Sequence, residues 1–339
     1  MREVSPPASA GDSLLAKVDL PARSAALKLL ALPLGGEQAP LQNGQNVQPE
    51  FPLSDSKNSP MKLLRHGPVG AEKPGALDAE GRARDLSLLI ADFTPEWLAP
   101  IKLDALAAID LARMPLVAPG TRLGPPIAGS RQFIAIGLNY HQHVVEAGME
   151  TPTEPVVFTK ALTSIAGPND DVVLPEGSVA SDWEIELGVV IGTLAKKVAV
   201  ADALAHVAGY CLANDLSERD WQIKRNGQWH KGKSFDGFGP LGPWLVTRDE
   251  LPDPQSIPLE LAVNGEVKQH GSTADMIFPV AEIVSYVSQF MTLLPGDVVI
   301  TGTPAGVGLG AKPTPVFLRR GDVMTLNAGP LGTQRQQVV

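Results

Sequence analysis

The chain has 339 residues, of which 44% are hydrophobic and 19% charged, a composition typical of a globular enzyme. Its formal net charge of −9 argues against nucleic-acid binding, which needs clustered Lys and Arg. The one cysteine, Cys211, excludes an internal disulfide, and no apolar run approaches the roughly 18 residues of a membrane span. These properties predict a cytoplasmic enzyme without a membrane or nucleic-acid partner.

Residues 1–60 differ from the rest of the chain in composition. They contain clusters of Pro, Ser, Asn, Gln and Gly, with one predicted helix near Ala22–Leu32. The segment from Met61 onward begins like a fresh protein start and opens on a short strand. We interpret residues 1–60 as an extension or leader, and the alternative is a native arm that packs on a partner subunit.

Residues 61–125 are predicted to form a small N-terminal α/β domain. Three short strands are predicted near Lys62–Arg65, Gly75–Asp78 and Ala83–Leu86. Thr94 followed by Pro95 is typical of a helix start, and Pro100 should interrupt that helix. A second helix is predicted over Leu103–Arg113, and a proline-rich linker then leads into a catalytic domain over 126–339.

The catalytic domain opens on a predicted buried strand, Phe133–Gly137, that leads into a short helical turn. We interpret Asn139 as the cap of this turn and Gly148 as its end. His143 and Glu146 share one face at this spacing, so the carboxylate can orient the imidazole and make it a water-activating base. The alternative is a helix-surface pair without catalytic meaning.

The same segment also has features of a different metal-binding motif. His141-Gln142-His143 followed by an acid resembles the cupin metal motif, but the spacing to Glu146 is too short and the segment has helical features. After it, the predicted strand Val156–Lys160 ends in a lysine that could contact an anion, or could be an exposed strand end.

The run Asp182–Gly192 is predicted to be a buried strand. Because strand side chains alternate between faces, Glu184 and Glu186 should point the same way, and the predicted strand Gly209–Ala213 delivers Asp215 at its end. Buried neighbouring carboxylates repel each other unless a cation lies between them, and hard divalent ions prefer oxygen ligands. The sequence therefore indicates a metal site, with a solvated sheet edge as the alternative.

The segment from Trp221 to Lys233 is basic and interrupted by glycine, which favours a loop or lid over an anionic ligand. Ser217 to Asp220 just before it resembles a capping box. The remaining predicted elements are a hairpin at Asn264-Gly265, a helix over Phe278–Leu293, a strand over Val298–Thr301 and a final strand pair, Asp322–Leu326 and Gln334–Val339. The glycine-rich run from Thr301 to Gly308 lacks the lysine of a nucleotide-binding P-loop.

Taken in order, five motifs resemble the fumarylacetoacetate hydrolase superfamily. They are Gly137-Leu138-Asn139-Tyr140-x-x-His143-x-x-Glu146, Glu184-x-Glu186-Leu187, Asn214-Asp215-x-Ser217-x-Arg219-Asp220, Gly232-Lys233-Ser234-Phe235 and Thr301-Gly302-Thr303-Pro304. No single motif is diagnostic, whereas five in family order are specific. The resemblance implies an α+β, mainly β fold, a mixed β-sandwich roll, and a homodimer.

The resemblance also implies roles for individual residues. It assigns a divalent metal to Glu184, Glu186 and Asp215, with Mg²⁺ first and Mn²⁺ or Ca²⁺ as alternatives. It assigns the base dyad to His143 and Glu146, a catalytic lysine to Lys233, and substrate contacts to Gln222 and Thr303. Lys160 joins the substrate contacts as the lysine that could meet an anion.

The implied reaction is metal-dependent hydrolysis of a C–C bond in a 2,4-diketo acid, which yields pyruvate and a second acid. An acylpyruvate is the expected substrate type, and a 2,4-diketo-3-deoxy sugar acid is a specific candidate. The alternatives are oxaloacetate decarboxylation, isomerisation of an unsaturated diacid, or a metal-binding scaffold without catalysis. An intact His143 and Glu146 favour hydrolysis.

Overall fold

The computed structural model describes residues 61–339, so the helix predicted near Ala22–Leu32 lies outside the described residues. Between 61 and 339 the strands are β1 Lys62–His66, β2 Lys73–Leu77, β3 Ala83–Asp85, β4 Leu123–Gly124, β5 Phe133–Gly137, β6 Val156–Lys160, β7 Ile165–Ala166, β8 Ser181–Asp182, β9 Ile185–Ile191, β10 Val207–Asn214, β11 Ser217–Glu218, β12 Gly239–Pro240, β13 Leu245–Thr247, β14 Pro258–Val263, β15 Glu266–Ser272, β16 Val298–Ile300, β17 Val323–Asn327 and β18 Thr333–Gln337. The α-helices are α1 Pro100–Ala107, α2 His141–Ala147, α3 Val200–Ala203, α4 Trp229–Lys233 and α5 Val280–Phe290. A π-helical turn covers Asp220–Lys224, and 3₁₀ turns cover Pro95–Leu98, Leu111–Arg113, Leu162–Ser164, Leu204–His206, Thr273–Asp275, Gly308–Gly310 and Gly329–Leu331.

The larger sheet has ten strands in the order β3-β2-β1-β13-β10-β9-β16-β5-β6, with β4 paired to β1. Its neighbours are antiparallel except for β16 and β5, which run parallel. A second, antiparallel sheet has the order β15-β14-β17-β18. Two small ribbons, β8 with β11 and β7 with β12, complete the strands of the described part.

The main core lies between the central strands of the larger sheet, the four-stranded sheet and helix α5. Strand β9 contributes Ile185, Leu187, Val189 and Ile191 to this core. The opposite face of the same strand contributes Val190 to a second core shared with residues of the 61–127 segment. Because side chains alternate along a strand, Glu186 lies on the same side as Val190. The predicted fold class, α+β with β predominating, is confirmed.

Most local predictions agree with these elements. Asn264 and Gly265 both have positive φ, 53° and 81°, as a two-residue hairpin turn between β14 and β15 requires. The helix start at Thr94-Pro95 is confirmed, since a 3₁₀ turn over Pro95–Leu98 has Thr94 at its N-cap position and ends before Pro100. The second helix was placed wrongly, because Pro100 occupies the first position of α1, where its missing N–H costs nothing. Thr94 makes no side-chain capping bond, and the helix predicted to reach Arg113 ends at Ala107.

Two predictions just before and within the basic segment were also wrong. Ser217 is not part of a capping box; it lies in β11 and its hydroxyl donates to the carbonyl oxygen of Asp215 at 3.0 Å. The segment after it is largely helical rather than a loop. Gly232 explains the error, because a Cβ there would lie 2.4 Å from the carbonyl oxygen of Glu218. This glycine allows close packing and does not indicate flexibility.

Candidate active site

Three buried carboxylates meet at the ends of two neighbouring antiparallel strands. Glu186 is the second residue of β9 and pairs in register with Ala213 of β10, which places Asp215 just beyond the end of β10 beside Glu184. The backbone N–H of Asp215 donates to the carbonyl oxygen of Glu184 at 2.8 Å. One carboxylate oxygen from each of the three acids lies within 4.8 Å of the others. The strand pairing thus assembles the predicted acid triad.

Three cationic side chains surround two of these acids. Lys233 Nζ donates to Glu184 Oε2 at 2.7 Å and to Asp215 Oδ2 at 2.6 Å. Lys160 Nζ donates to Asp215 Oδ1 at 2.5 Å, and Arg219 Nη2 lies 2.8 Å from Glu184 Oε1. Both oxygens of Glu184 and both oxygens of Asp215 therefore have a cationic partner.

The electrostatic consequences differ between the acids. Burial acts to raise the pKa of Glu184, but Lys233 and Arg219 outweigh it and lower the pKa to about 2. Burial raises the pKa of Glu186 well above its ordinary value, and the charges of Asp215 and Glu184 add to the rise. Burial lowers the pKa of Lys160, whereas at Lys233 the charges of Asp215 and Glu184 outweigh burial and raise the pKa.

Glu186 differs from the other two acids in its partners. Among the described residues its recorded hydrogen bond is from the backbone N–H of Gly302, at 2.8 Å, and no lysine or arginine forms an ion pair with it. A divalent ion at the triad would supply the missing positive charge, and carboxylate oxygens suit a hard ion such as Mg²⁺. The residues present therefore fit the metal that the sequence predicted, with Glu184, Glu186 and Asp215 as the ligands.

The predicted dyad is also brought together, on helix α2. His143 Nδ1 lies 3.0 Å from Glu146 Oε2, and Glu146 Oε1 accepts a hydrogen bond from the backbone N–H of Gly306 at 2.9 Å. Helix α2 ends at Gly148 in the left-handed conformation, with φ of 66°, as predicted. Each carboxylate oxygen of Glu146 thus has a partner, and the carboxylate is in position to orient the imidazole.

Asn139 is not the cap of this helix. The residue before α2 is Tyr140, and the buried side chain of Asn139 instead connects three segments. Its Nδ2 donates to the carbonyl oxygens of Thr301 at 2.8 Å and Phe278 at 3.1 Å, and its Oδ1 accepts from the N–H of Phe278. Local capping rules cannot predict partners more than a hundred residues away in sequence.

The dyad and two acids of the triad line one cavity of about 390 Å³, whereas Asp215 is not among its lining residues. His143, Glu146, Glu184 and Glu186 all line it. Much of the remaining lining is apolar, and its side chains include Ile136, Leu138, Phe158, Ile223, Trp229, Val307 and Leu309. A small molecule in this cavity would contact the metal ligands and the imidazole at once.

The predicted substrate contacts have different surroundings. Gln222 and Thr303 both line the cavity. The Thr303 hydroxyl accepts a hydrogen bond from Gln269 Nε2 at 2.7 Å and donates one to the carbonyl oxygen of Ile185 at 2.8 Å. Thr303 therefore contributes to the structural support of the site as well as to the lining of the cavity. Lys160 is not among the residues that line the cavity, and its ammonium group is directed to Asp215. Its contact with substrate stays a prediction.

Two charged residues of the site had no predicted role. Arg219 connects Glu184 to Asp182, whose Oδ2 lies 2.7 Å from Arg219 Nη2. Asp182 in turn accepts from the backbone N–H groups of Gly308 at 2.7 Å and Leu309 at 2.9 Å. Arg219 lies within one of the five motifs and Asp182 at the start of the predicted strand Asp182–Gly192, but neither has a spacing that alone indicates its partner.

The comparison with protein families agrees with this geometry. A family model described as fumarylacetoacetate (FAA) hydrolase C-terminal matches residues 132–339, which include every residue of the site. The chain belongs to the fumarylacetoacetate hydrolase family.

The similarity of this fumarylacetoacetate hydrolase family member to individual proteins covers more of the chain than residues 132–339. A Burkholderia ambifaria protein named "Putative hydrolase" is 57% identical over 276 residues, which cover 81% of this chain and 98% of that protein. The structure titled fumarylacetoacetate hydrolase from Exiguobacterium antarcticum is 38% identical with a TM-score of 0.73, over 82% of this chain and 99% of that one. The 2-hydroxyhepta-2,4-diene-1,7-dioate isomerase of Mycobacterium marinum is 33% identical with a TM-score of 0.63, over 82% and 98%.

Membership places the chain in a family of hydrolases and isomerases that typically depend on a divalent metal. The buried acid triad is consistent with that dependence. Within residues 61–339, no helix has both the length and the apolar character needed to cross a bilayer.

Proposed function

We propose that the protein is a metal-dependent hydrolase that cleaves a C–C bond of a 2,4-diketo acid and releases pyruvate with a second acid. One observation carries the proposal: Glu184 and Glu186 of the acid triad line the same cavity as the His143–Glu146 pair. Hydrolysis needs an activated water as well as charge stabilisation, and these two groups supply one each. An ion held by Glu184, Glu186 and Asp215 would polarise the diketo oxygens.

The protein's own side chains account for the remaining steps. His143 Nε2 accepts the proton of the attacking water, since Nδ1 is engaged by Glu146 at 3.0 Å. Glu146 holds the imidazole in that tautomer and balances its charge after proton transfer. When the C–C bond breaks, its electron pair stays on the pyruvate fragment, and the protonated imidazole returns the proton to that carbon. Lys233, which borders both the cavity and the triad, offsets negative charge that develops on the substrate. Gln222 and Thr303 contact the bound acid.

An isomerase is the second candidate, and the similarity to a 2-hydroxyhepta-2,4-diene-1,7-dioate isomerase favours it. Isomerisation needs a group that moves a proton between carbons, and His143 could serve there too. Decarboxylation of oxaloacetate needs the triad without the dyad. The apolar wall of the cavity, with Phe158 and Trp229 in edge contact at 5.4 Å between ring centroids, suits an acyl group with few hydroxyls more than a sugar acid.

Substrate profiling separates these reactions. Purified full-length protein would be assayed with acylpyruvates, a 2,4-diketo-3-deoxy sugar acid, oxaloacetate and a 2-hydroxy-dienedioate, each with Mg²⁺ and with EDTA. The proposal expects Mg²⁺-dependent release of pyruvate from a diketo acid. Carbon dioxide from oxaloacetate alone, or a spectral shift of the dienedioate without pyruvate, would move the assignment to a decarboxylase or an isomerase. No turnover of any of these substrates would favour a metal-binding scaffold without catalysis.

Two substitutions divide the roles within the site. His143→Ala should retain Mg²⁺ binding by calorimetry and lower kcat by about 10²- to 10⁴-fold, the usual contribution of a positioned base. Glu184→Ala should lose both Mg²⁺ binding and turnover, because it removes one of the three side chains proposed to hold the ion. His270→Ala, at a side chain that is 77% exposed, is the matched control and should change neither. Full turnover by the His143 variant would refute the water-activating role.

Three further parts of the assignment stay predictions: the identity of the ion, the homodimer, and the cytoplasmic location. Mg²⁺, Mn²⁺ and Ca²⁺ all accept carboxylate oxygens and differ mainly in size and coordination number. Activity titrations with each ion, and light scattering of the purified protein, would test the first two.

A further inference from the structure

The loop Thr301–Gly310, here called the amide loop, directs backbone N–H groups at acids from three parts of the site. The N–H of Gly302 donates to Glu186 at 2.8 Å, and that of Gly306 donates to Glu146 at 2.9 Å. The N–H of Gly308 donates to Asp182 at 2.7 Å. One short segment therefore contacts a metal ligand, the acid of the dyad, and the acid that anchors Arg219.

Gly310 at the end of this loop has a steric relation to the dyad. A Cβ at this position would lie 2.3 Å from both Cγ and Cδ of Glu146 and 2.5 Å from its Oε1. The φ of Gly310 lies outside the left-handed range, so the backbone does not require glycine there. The space that a side chain would fill is instead occupied by Glu146.

We propose that Gly310 is a positioning residue for the dyad. Its bare Cα is the surface on which the Glu146 side chain packs, while the Gly306 N–H fixes Oε1 and leaves Oε2 to meet His143. Any side chain at 310 displaces the carboxylate and releases the imidazole from its orientation. This inference rests on the proposed function, because it assigns a role to the same dyad.

The amide loop is itself tied to the acid triad. Asp182 binds the N–H groups of Gly308 and Leu309, and Arg219 binds both Asp182 and Glu184. The surface under Glu146 is thus fixed relative to a metal ligand through two buried side chains. This connection holds the imidazole and the triad at one separation.

Gly310→Ala tests the proposal. We expect kcat to fall by about 10- to 100-fold, as expected for a catalytic group displaced by about 1 Å. KM should change by less than about 3-fold, and Mg²⁺ affinity measured by calorimetry should be unchanged, since Gly310 does not contact the triad. The same substitution in a Glu146→Ala background should cause no further loss, because the displaced group is already absent.

Thermal unfolding provides a second readout that does not depend on activity. Gly310→Ala should unfold at a lower temperature than the wild type. Gly310→Ala should lower the unfolding temperature less in a Glu146→Ala background than in the wild type, because truncation of Glu146 relieves the crowding. If both substitutions lower the midpoint additively, the two residues do not interact and the proposal fails. This comparison also decides the matter if the single variant folds poorly.

Nitrogen-15 NMR of labelled histidine gives a third readout at the ring itself. In the wild type, at a pH where the imidazole is uncharged, His143 should show one tautomer with the proton on Nδ1, as the contact with Glu146 requires. Gly310→Ala should convert it to a mixture of tautomers, and His143→Ala assigns the signal. An unchanged tautomer in Gly310→Ala would overturn the proposal.

Gly124→Ala is the matched control. Its Cβ would lie 2.8 Å from Cγ of Glu72, so it imposes the same kind of crowding on a glutamate remote from the cavity. It should lower stability and leave kcat and the His143 signal unchanged. Failure of the proposed function would be seen separately, as full turnover in Glu146→Ala, whereas the tautomer and the thermal comparison test the contact in either case.

Discussion

Glu186 is in a different electrostatic setting from the two acids beside it. Glu184 and Asp215 are paired with lysine or arginine at every oxygen, whereas the recorded partner of Glu186 among the described residues is a backbone N–H. Three cations thus serve four buried acids when Asp182 is included. The charge that remains to be balanced lies at the position where a divalent ion would contact all three ligands.

This asymmetry predicts a pH dependence for metal binding. The pKa of Glu186 is raised in the folded ion-free protein by burial, Asp215 and Glu184, so its ionisation costs stability as pH rises above the unfolded value. An ion must displace that proton. The rise in Tm caused by a fixed Mg²⁺ concentration should therefore grow from about pH 5 to about pH 8. The corresponding free energy of stabilisation should approach about 2.7 kcal/mol at a hundredfold excess of Mg²⁺ over Kd.

Thermal unfolding at several pH values, with and without Mg²⁺, measures this effect. Glu186→Gln is the control, because it has no proton to displace and should show a small Mg²⁺ shift that varies little with pH. A wild-type shift that is equal at both ends of the range, or larger at acid pH, would contradict the assignment of the pKa.

At the residue scale, the sequence predicted chemistry better than geometry. Glu184, Glu186 and Asp215 were predicted together because strand alternation and chain order are local properties, and His143 with Glu146 because helical spacing is. Arg219 received no role, since its partners Asp182 and Glu184 lie 37 and 35 residues away and reach it only through the pairing of β8 with β11 and β9 with β10.

Asp182 connects an element of the sheet to the amide loop. Its carboxylate, which is fully buried, accepts two backbone N–H bonds from the loop and two contacts from Arg219. Asp182→Asn keeps the shape but places an NH₂ where one acceptor oxygen is needed. We expect the free energy of unfolding to fall by about 1.5–3 kcal/mol, the range for hydrogen bonds to a charged group. Urea unfolding measures it.

Activity should respond to the same change, because the loop carries the Gly306 N–H and the surface under Glu146. We expect kcat to fall more than KM rises. Asp220→Asn, at a surface pair with Lys224 whose side chain is 73% exposed, is the matched control and should alter stability little. An Asp182→Asn protein with wild-type stability would mean that the loop is held by other contacts.

Elements were predicted well where the deciding signal is local. The Asn264-Gly265 turn and the Gly148 helix end follow from positive φ angles that few residue types adopt. The segment Trp221–Lys233 was predicted as a loop because its charges suggest solvent exposure, yet Gln222 and Lys233 are buried. Their partners, Arg219 and the triad, compensate the burial, and such compensation is visible only after the chain is folded.

On the scale of the whole molecule, the boundary predicted at residue 125 meets a continuous sheet. Strands β1, β2 and β3 of the 61–125 segment extend the sheet that carries the site, through pairing of β1 with β13. The second core combines Leu63 and Leu103 of that segment with Val190 and Val298 of the catalytic part. Whether residues 61–125 form a separate unit therefore depends on whether they unfold together with the rest of the sheet.

We predict that the two parts unfold together. Leu63 on β1 is fully buried, and Leu63→Ala should lower the free energy of unfolding by about 2–5 kcal/mol through lost burial and a residual cavity. Because the neighbours of Leu63 include strands on both sides of the boundary, the opening free energy should fall by the same amount in β1–β3 and in β9–β10. Hydrogen exchange followed by mass spectrometry at increasing denaturant reports the opening free energy of each strand separately.

Leu88→Ala is the matched control in the same segment, since Leu88 is 73% exposed and its truncation should cost little. In Leu63→Ala, peptides from β2 and from β10 should lose the same amount of protection. A loss confined to β1–β3 would mean that residues 61–125 open on their own, as an independent domain does. Equal loss would mean that the sheet positioning the acid triad depends on β1 for its stability, although no residue of β1 lines the cavity.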